Sequence, residues 1–507
     1  MVPLKPETPL IITSLDLALG GDGTLQERLY RQVRDGILSG RLPPGLKLPS
    51  TRDLAQQLSV ARNTVTLAFE WLASEGYLTT RKGAGTFVAD LLPEAALEAP
   101  RAPGAPLNSG VEGPRRTPPI IVTSGMPAAV GRERTRSSID FWYGRLDRRE
   151  FPATTWRRLL LENLSRAGPN LVEYGHPAGH PELRAAIASH LAATRGIPAS
   201  PDRIVITAGA QDGFNVIARM LIAPGTSVLV EDPCYGAAAS VFDSYGASLI
   251  PVPVDADGLT TDSLAGRAGA LVYVTPSHQF PTGATMPLAR RRELLRWASA
   301  AGAYVVEDDY DSDFRYDGPP LTALAGVDRD RRVIYVGSFS KSIGAGLRLG
   351  YLVLPPELVE PALVVKSLGS YGQPWIDQIV VAEFLRSGGH RQHLRRLRQM
   401  YKTRRDALLG SLRSVVGEQL QVSGHEAGMH LFWTLPEWAP DPATLAARAR
   451  ELDVGIYTPQ AVGVRTFGPP GEVDRALMLG YSALSAPEIV TGIQRVGQLL
   501  RSPSSNG

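Results

Sequence analysis

The stretch VGSFSKSIGAGLRLGYLV, residues 336–353, places a single lysine among side chains that bind phosphate. Ser338 and Ser340 precede Lys341, and Arg348 follows it after a glycine-rich turn. A lysine amine condenses with an aldehyde to form a Schiff base, whereas two hydroxyls and a guanidinium suit a phosphate dianion. The spacing therefore predicts a covalent site for a phosphorylated aldehyde.

The scarcity of lysine narrows the choice of the reactive amine. Of 53 basic residues only six are lysines, and arginine does not form a stable imine with an aldehyde. Beyond residue 100 the candidates are Lys341, Lys366 and Lys402, of which the last two fall in predicted helices. Only Lys341 follows a predicted strand and has small polar neighbours. The alternative, a surface lysine in a Ser/Gly loop, explains none of the segments described next.

Two further segments predict contacts to the phosphate and to a flat ring. ITAGAQDGF combines a strand, a turn of small residues and the start of a helix, where the backbone N–H groups of Ala210 and Gln211 are free to hold an anion. Tyr235, in VEDPCYGAA, follows the next strand and is placed to stack on a ring.

An acidic pair closes the predicted strand in AYVVEDDYDSDF. Side chains alternate along a strand, so Asp308 and Tyr310 are expected on the same face. A carboxylate against a pyridine nitrogen keeps that nitrogen protonated, and the ring then acts as an electron sink. Asp309 remains the alternative to Asp308, because the sequence does not fix the strand register.

The elements that must position these residues form a regular series. From about residue 139 to 500, short β-branched runs such as RIVITAG, SVLVEDP and VIYVGSFSK alternate with helical stretches. Nearly continuous apolar strands followed by helices predict a large α/β domain with a mainly parallel sheet. After about residue 390 the pattern is more mixed and predicts a small C-terminal α+β subdomain.

Residues 24–90 predict a separate α+β unit, a winged helix-turn-helix. Three helical stretches are followed by two strands around a glycine-rich turn in YLTTRKGAGTFVA, and the unit has a net charge of +4 over residues 24–89. The side chains expected to meet DNA are at the start of the second helix, on the third helix and at the wing tip: Ser50, Thr51, Arg52, Arg62, Asn63, Thr64, Thr66, Lys82 and Gly83. The alternative is that they form the solvated face of a small helical domain.

The rest of the chain predicts connecting segments and a location. We interpret residues 1–23 as an N-terminal extension, 91–138 as a Pro/Gly/Ala/Arg-rich linker and 501–507 as a tail. The single cysteine, Cys234, excludes an intramolecular disulfide and a cysteine-based zinc cluster, and we predict no metal site. The sequence has no long apolar run and no secretion signal, so we expect a cytoplasmic protein without a membrane partner.

These motifs resemble two known families. LPSTRDLAQQLSVARNTVTLAFEWLASEGYLTTRKGAGTFV resembles the winged-helix domain of GntR-family transcription regulators over its whole length. Residues 140 to 500 resemble the fold-type I pyridoxal phosphate enzymes, the aspartate aminotransferase superfamily. The combination resembles the MocR-type bacterial regulators, and EYGHPAGHPELR, VTPSHQFPTGATM, VEDDYDSDFRY and SFSKSIGAGLRLGYLV are similar to that subfamily's own motifs.

The resemblance implies pyridoxal 5'-phosphate as the cofactor and a role for each motif. Lys341 would be the Schiff-base lysine, Asp308 the partner of the ring nitrogen and Tyr310 the contact of the phenolic oxygen. Tyr235 would stack on the ring, and Tyr174 would reach the phosphate of a neighbouring subunit. The residues that would hold the phosphate of their own subunit are Ala210, Gln211, Ser338, Ser340 and Arg348.

The sequence also departs from the enzyme pattern. Phe280 stands where aminotransferases of this fold usually have the asparagine that contacts the phenolic oxygen, and His278 or Gln279 is expected to replace it. His176 stands where the subfamily more often has aspartate. Around Met478 the chain lacks the arginine that commonly binds a substrate carboxylate. Arg475 and Arg465 are the nearest candidates for that role.

We therefore expect a homodimeric transcription regulator that reads paired operator half-sites and senses pyridoxal phosphate, or an amine that reacts with it, by imine exchange. One alternative is a working aminotransferase with an accessory DNA-binding domain. Another is a DNA-binding protein whose large domain has lost its cofactor and only dimerises, which the presence of Lys341, Asp308 and Arg348 disfavours.

Overall fold

The computed structural model describes residues 22–90, 137–166, 172–318, 321–469 and 471–501. The chain divides into two compact units, residues 1–120 and 121–507. The predicted extension, linker and tail lie almost wholly outside the described residues. Among the described residues, no helix combines the length and the apolar character needed to cross a membrane.

The N-terminal unit has three helices and a two-stranded wing. The helices are α1 (Leu25–Leu38), α2 (Thr51–Gln57) and α3 (Arg62–Ser74), and the antiparallel strands are β1 (Leu78–Arg81) and β2 (Gly85–Val88). Thr24 and Glu27 form a capping box at the start of α1, and Ser50 Oγ accepts from the N–H of Asp53 at the start of α2. A core of apolar side chains from all three helices holds the unit together.

An eight-stranded sheet forms the centre of the large unit. Its strands are β4 (Ile204–Thr207), β5 (Ser227–Asp232), β7 (Ser248–Asp255), β8 (Gly258–Leu259), β9 (Leu271–Val274), β10 (Tyr304–Asp308), β11 (Val333–Ser338) and β12 (Gly350–Val353), in the order β4-β12-β11-β10-β9-β5-β7-β8. Strands β7, β5, β9, β10 and β11 pair in parallel, whereas β12 runs antiparallel to both β11 and β4. The prediction of a mainly parallel sheet is confirmed, with β12 and the short edge strand β8 as the reversed strands.

Helices cover the sheet on both faces. They are α4 (Ala153–Arg166), α5 (Pro181–Arg195), α6 (Ala210–Leu221), α7 (Gly236–Ser244), α8 (Leu288–Ala301), α9 (Leu324–Val327), α10 (Pro356–Gly369) and α11 (Trp375–Arg386). The apolar side chains of the sheet belong to three buried clusters, one shared with α4, α5 and α11, one with α6, α7 and α10, and one with α8. The alternation of buried strands and helices is thus the predicted α/β pattern.

A smaller α+β subdomain follows, as the sequence predicts. It contains α12 (Gly389–Val416), α13 (Pro442–Glu451), α14 (Ala486–Arg501) and the antiparallel strands β13 (Gln421–Ser423), β14 (His430–Thr434) and β17 (Ala476–Gly480). Short strands join distant segments: β3 (Ile139–Asp140) pairs with β15 (Val454–Gly455), and β6 (Cys234–Tyr235) pairs with β16 (Val464–Arg465). The first strand of the large unit is therefore paired with a strand of this subdomain.

Candidate cofactor site and DNA-binding surface

The predicted site residues gather at one edge of the central sheet. Strands β9, β10 and β11 are parallel and end at Val274, Asp308 and Ser338, and Thr207 at the end of β4 pairs with Gly350 in the neighbouring strand. Because the carboxyl ends of parallel strands share an edge, the loops that follow them meet there. The ends of β4, β9, β10 and β11 are brought together in this way, although more than a hundred residues separate the first from the last.

Lys341 lies in the turn Ser340–Gly344 that follows β11. Its Nζ donates to the carbonyl oxygen of Gly144 at 3.1 Å and lies 5.0 Å from the ring centre of Tyr143. Burial lowers the pKa of Lys341, and the carboxylates of Asp311 and Asp308 oppose this shift. A lowered pKa increases the neutral, nucleophilic fraction of the amine.

The approach of the lysine to the main chain requires glycine at position 144. Gly144 has φ of +70°, and a Cβ there would lie 2.2 Å from the Nζ of Lys341. A side chain at this position would displace the amine, so Gly144 makes the room in which Lys341 lies.

The two rival lysines are engaged elsewhere. Lys366 is buried and its Nζ forms an ion pair with Asp212 at 2.9 Å. Lys402 is partly exposed and lies 3.4 Å from Asp317. Of the three candidate lysines, Lys341 alone is held by a neutral carbonyl at the shared edge of the sheet.

Asp308 ends β10 and is buried at the centre of the site. Tyr273, on the adjacent strand β9, donates its hydroxyl hydrogen to Asp308 Oδ2 at 2.8 Å. Burial raises the pKa of Asp308 to about 7, although the Tyr273 hydrogen bond opposes the shift. A carboxylate in this environment is stabilised by a cationic partner.

Asp309 faces the opposite direction. Its carboxylate forms an ion pair with Arg195, whose Nε lies 2.8 Å away, and accepts a hydrogen bond from Nη2 of the same guanidinium at 2.9 Å. Ser312 and Tyr335 donate hydroxyl hydrogens to it as well. These four interactions occupy the oxygen atoms of Asp309 in a buried structural network.

Tyr310 and His278 meet beside Lys341. The hydroxyl oxygen of Tyr310 lies 3.0 Å from Nδ1 of His278, and the same Nδ1 lies 2.8 Å from Oδ2 of Asp311. Burial lowers the pKa of His278, but Asp311 and the carbonyl oxygen of Gly424 raise it, and the net shift is upward. His278 is thus a buried imidazole that orients the Tyr310 hydroxyl.

Gln279 does not face the same space. Its side-chain N–H groups donate to the carbonyl oxygens of Pro233 at 2.8 Å and Phe280 at 2.7 Å, and its Oε1 accepts from Thr282. Glu231 lies on the other side of the amide nitrogen at 3.3 Å. The amide therefore fixes the turn that carries Phe280 and Pro281.

Helix α6 and the loop around Arg348 form an anion-binding corner. Helix α6 begins at Ala210, so the N–H groups of Ala210 and Gln211 have no intrahelical acceptor. Arg348 donates to the carbonyl oxygen of Ala208 at 2.7 Å, and a Cβ on Gly209 would lie only 3.2 Å from its guanidinium. Two backbone donors and a guanidinium converge here.

The hydroxyls of Ser338 and Ser340 belong to the same corner. They are joined by a hydrogen bond of 2.9 Å, and Ser338 pairs with Gly350, whose own position packs on Gly209. The arrangement has the donor types and the helix terminus that a phosphate requires.

Tyr235 lies close enough to both Asp308 and Arg348 for their charges to act on its hydroxyl. Its ring makes an edge contact with Phe280, with ring centres 5.4 Å apart. Burial raises the pKa of Tyr235 to about 12, with Asp308 acting in the same direction and Arg348 against it. Tyr174 is instead 86% exposed and contacts only the ring of Tyr371 among the described aromatic residues.

Three buried side chains next to the site have atoms that bind metals. His278, Asp311 and His430 bring three such atoms within 4.8 Å of one another. His278 and Asp311 are already joined by the hydrogen bond described above, and burial lowers the pKa of His430 to about 4. His278 and Asp311 form a hydrogen-bonded support for Tyr310, whereas Nε2 of His430 lies 3.1 Å from the carbonyl oxygen of Pro281.

The candidates for binding an effector carboxylate lie away from Lys341 or are already paired. Arg475 donates to the carbonyl oxygen of Pro436 at 2.6 Å, and Arg465 pairs with Asp243 at 3.2 Å. Met478 is completely buried. His176 is exposed, and its Nδ1 accepts from the N–H of Ala178.

The N-terminal unit presents the predicted DNA contacts on its surface. Ser50, Arg52, Arg62, Asn63, Lys82 and Gly83 are exposed, whereas Thr51, Thr64 and Thr66 are half-buried. Two of the hydroxyls are used locally, since Ser50 donates to Asp53 at 2.7 Å and Thr66 to the carbonyl of Arg62 at 3.0 Å. Gly83, with φ of +78°, forms the turn at the tip of the wing.

Comparison with known proteins matches both units. The model of the bacterial regulatory proteins of the gntR family matches residues 25–88, and that of aminotransferase class I and II matches residues 145–469. A kynurenine aminotransferase of Pyrococcus horikoshii in complex with PMP superposes with a TM-score of 0.66 and 29% identity, covering 72% of this chain and 91% of that one. The fold and the site thus define a GntR-type DNA-binding unit fused to an aminotransferase class I and II domain.

Relatives with the same two-part organisation extend along the whole chain. The probable rhizopine catabolism regulatory protein MocR of Rhizobium meliloti is 36% identical over 497 residues, 96% of each chain. The HTH-type transcriptional regulator YdeL of Bacillus subtilis (strain 168) is 32% identical and covers 96% of this chain and 98% of its own. The chain belongs to the MocR-type transcription regulators of the GntR family.

Several residues at the site were not predicted from the sequence. Tyr143 and Gly144 touch Lys341 across almost two hundred residues, and the signal that marks them is the run DFWYGR at the start of the large unit. Tyr273 beneath Asp308 and Asp311 behind His278 are the others. Their roles depend on strand order, which a single sequence does not fix.

Proposed function

We propose that this transcription regulator binds pyridoxal 5'-phosphate through a Schiff base on Lys341 and that it senses the cofactor, or an amine that reacts with it, by imine exchange. The observation that carries the proposal is the placement of Lys341 between the buried carboxylate of Asp308 and the anion-binding corner at Arg348. When bound, pyridoxal phosphate supplies an aldehyde carbon at which one amine replaces another.

The donor set fits the cofactor's functional groups. Asp308, held by Tyr273, would pair with the protonated ring nitrogen, because a buried carboxylate needs such a partner. Asp309 is occupied by Arg195 and is not assigned this role. Tyr310, oriented by His278, would contact the phenolic oxygen, and Tyr235 would lie against the ring. Gln279 serves the turn instead of the cofactor.

The phosphate would be bound at the start of α6. The groups assigned to it are the N–H of Ala210 and Gln211, the hydroxyls of Ser338 and Ser340, and the guanidinium of Arg348. Tyr174, which is highly exposed here, would reach the phosphate of the second subunit of a homodimer. A site shared between subunits also brings two winged helices to paired operator half-sites.

We propose a separate function for each of the two units. Residues 24–90 would bind operator DNA in the cytoplasm through Ser50, Thr51, Arg52, Arg62, Asn63, Thr64, Thr66, Lys82 and Gly83. The segment 91–138 would connect them to the cofactor domain, 139–500. Regulation requires only that two states of the dimer differ in affinity for DNA, with a coupling of about 1–3 kcal/mol.

A spectral titration tests the proposal. The full chain, the Lys341→Ala variant and the Lys402→Ala control are titrated with pyridoxal phosphate, then reduced with borohydride and mapped by peptide mass. We expect a new absorbance band and a modified Lys341 in the wild type and in the control, and neither in Lys341→Ala. An unmodified Lys341 in the wild type contradicts the proposal.

A second candidate function is transamination, which the combination of Lys341 with Asp308 also permits. Incubation of the cofactor-loaded chain with amino and keto acids distinguishes the two functions. Sustained multiple turnover indicates an enzyme, whereas a single stoichiometric change that alters DNA binding indicates a regulator.

A further inference from the structure

The charges next to Lys341 are negative. The carboxylates of Asp311 and Asp308 are the charged groups that act on its amine. Asp311 is in turn bound to the imidazole of His278 at 2.8 Å. In the loaded site Asp308 would pair with the ring nitrogen and Asp311 is bound to His278, so neither group offers a positive partner to a second anion.

The arginines of the surrounding elements are already bound. Arg195 pairs with Asp309 at 2.8 Å, Arg145 with Asp140 at 2.7 Å and Arg465 with Asp243 at 3.2 Å. Arg348 belongs to the phosphate corner, and Arg475 donates to main-chain carbonyls of the subdomain. Arg315, which acts on His278, pairs with Glu426 at 3.5 Å. Within the described part of the chain, each of these guanidiniums therefore has a partner other than a ligand.

The wall beside the amine is aromatic and apolar. Tyr143, whose ring lies 5.0 Å from the Nζ of Lys341, packs against a buried cluster. The members of that cluster include Phe280, Phe432, Tyr457, Val462, Val464 and Met478. Met478 pairs with Phe432 across two strands and is completely buried. A ligand that extends from the amine in this direction meets carbon atoms.

We propose that the effector amine is an apolar, preferably aromatic, primary amine that has no carboxylate. This inference rests on the proposed function, because it names the class of compound that exchanges with Lys341. Burying a carboxylate that has no positively charged partner is unfavourable, so an α-amino acid should bind at least ~10-fold more weakly than the amine of the same side chain.

The exchange is balanced in atoms and charge. The incoming amine nitrogen forms a C=N bond to the cofactor's aldehyde carbon as the C=N bond to the Nζ of Lys341 breaks. The two hydrogens that the amine loses are transferred to Lys341, which leaves as a free amine. No water, oxidant or reductant enters the exchange, and the carboxylates of Asp308 and Asp311 favour a cationic nitrogen at every stage.

Matched pairs of compounds test the inference on the cofactor-loaded full chain. The first pair is 2-phenylethylamine and L-phenylalanine, and the second is 3-methylbutylamine and L-leucine. Each compound is titrated while the absorbance of the bound cofactor is followed, and the half-effect concentration is divided by that for free pyridoxal phosphate in the same buffer. This ratio removes the intrinsic reactivity of each amine.

We expect the half-effect ratio to be at least ~10-fold lower for each amine than for its amino acid. Met478→Arg should narrow this difference, and Met478→Leu, the volume-matched control, should keep it. Circular dichroism checks that both variants fold. If Met478→Arg does not fold, the comparison of amines with amino acids on the wild type tests the inference by itself. Amino acids that act as readily as the amines, or amines that have no effect, overturn the inference. Failure to load the cofactor overturns the proposed function as well.

Discussion

Tyr273 donates its hydroxyl hydrogen to Asp308 at 2.8 Å, while the next residue, Asp309, points away to Arg195. Asp308→Asn should therefore weaken binding of pyridoxal phosphate by roughly 10- to 100-fold, since it removes one charge-assisted contact. It should leave thermal stability nearly unchanged or slightly increased, because a buried carboxylate with a raised pKa is replaced by a neutral amide. Cofactor titration and thermal melts of the same samples provide both measurements.

Asp309→Asn is the matched control for that prediction. It should lower the free energy of unfolding by about 3–5 kcal/mol, because it leaves the buried guanidinium of Arg195 without its charge partner. Denaturant unfolding gives this number. If Asp309→Asn abolishes cofactor binding in a stable protein, and Asp308→Asn does not, the assignment of the two carboxylates is reversed.

The contact of His278 with Tyr310 predicts a spectroscopic effect. Asp311 as a carboxylate only accepts, so Nδ1 of His278 carries the hydrogen, and Tyr310 keeps its own hydrogen for the cofactor's phenolic oxygen. His278→Leu should raise the apparent pKa of the bound cofactor's absorbance change by about one unit, because the phenolic oxygen loses an oriented donor. The exposed His425 provides the control variant, His425→Leu. An unchanged pH profile in His278→Leu contradicts the role of this imidazole.

Much of the fold and half of the site follow from local signals. A lysine after a strand, an acidic pair at a strand end and a small-residue turn before a helix each predict a position at the sheet edge, and Lys341, Asp308 and Ala210 lie there. From the sequence, His278 and Gln279 remain alternatives, because the direction of each side chain depends on how the turn folds. In the structure His278 contacts Tyr310, whereas Gln279 donates to the carbonyl oxygen of Pro233.

The residues that escaped prediction share one property. Tyr143 reaches Lys341, and Tyr273 reaches Asp308, through the order of strands and the docking of the smaller subdomain. These contacts have long separations in the sequence and no periodicity that marks them. An isolated tyrosine in an apolar strand has the pattern of a core residue, which is how Tyr273 would be interpreted.

Gly144 provides a steric test of the lysine's position. Gly144→Ala should disturb Lys341, because the new Cβ would lie 2.2 Å from Nζ and because φ at this residue is +70°. We expect the rate of cofactor loading to fall at least ~10-fold, since the displaced amine loses its aligned geometry. Gly346→Ala is the control, as a Cβ there has no neighbour within 4 Å. Equal loading rates in the two variants would contradict the prediction.

A buried histidine behind the lysine turn predicts a pH effect on stability. Burial lowers the pKa of His390 to about 3, and the ring packs against Phe384 and His190. The unfolded chain binds a proton near pH 6.5 and the folded chain does not, so stability is lost as pH falls below that value. Between pH 7 and pH 5 the wild type should lose about 2 kcal/mol more than His390→Leu. Urea unfolding at the two pH values measures this difference, and parallel losses contradict it.

The wing lysine predicts a change in salt dependence. Lys82 is exposed at the tip between β1 and β2, and we propose that it contacts a DNA phosphate. Lys82→Ala should weaken DNA binding and reduce the slope of log K against log salt by about one. Fluorescence anisotropy with DNA from beside the protein's own gene measures the slope, and Lys402→Ala removes an equal charge from the other unit. An unchanged slope would exclude Lys82 from the DNA contact.

The hydrogen bond between Lys341 and Gly144 has a mechanical consequence, because of where Gly144 stands in the chain. It comes six residues after the proline-rich segment 91–138, which carries the DNA-reading unit at its other end. In the proposed exchange Lys341 would release the carbonyl oxygen of Gly144, which lies four residues after β3. A change of bonding at one nitrogen atom would thereby reach the main chain beside the strand that pairs with β15 of the smaller subdomain.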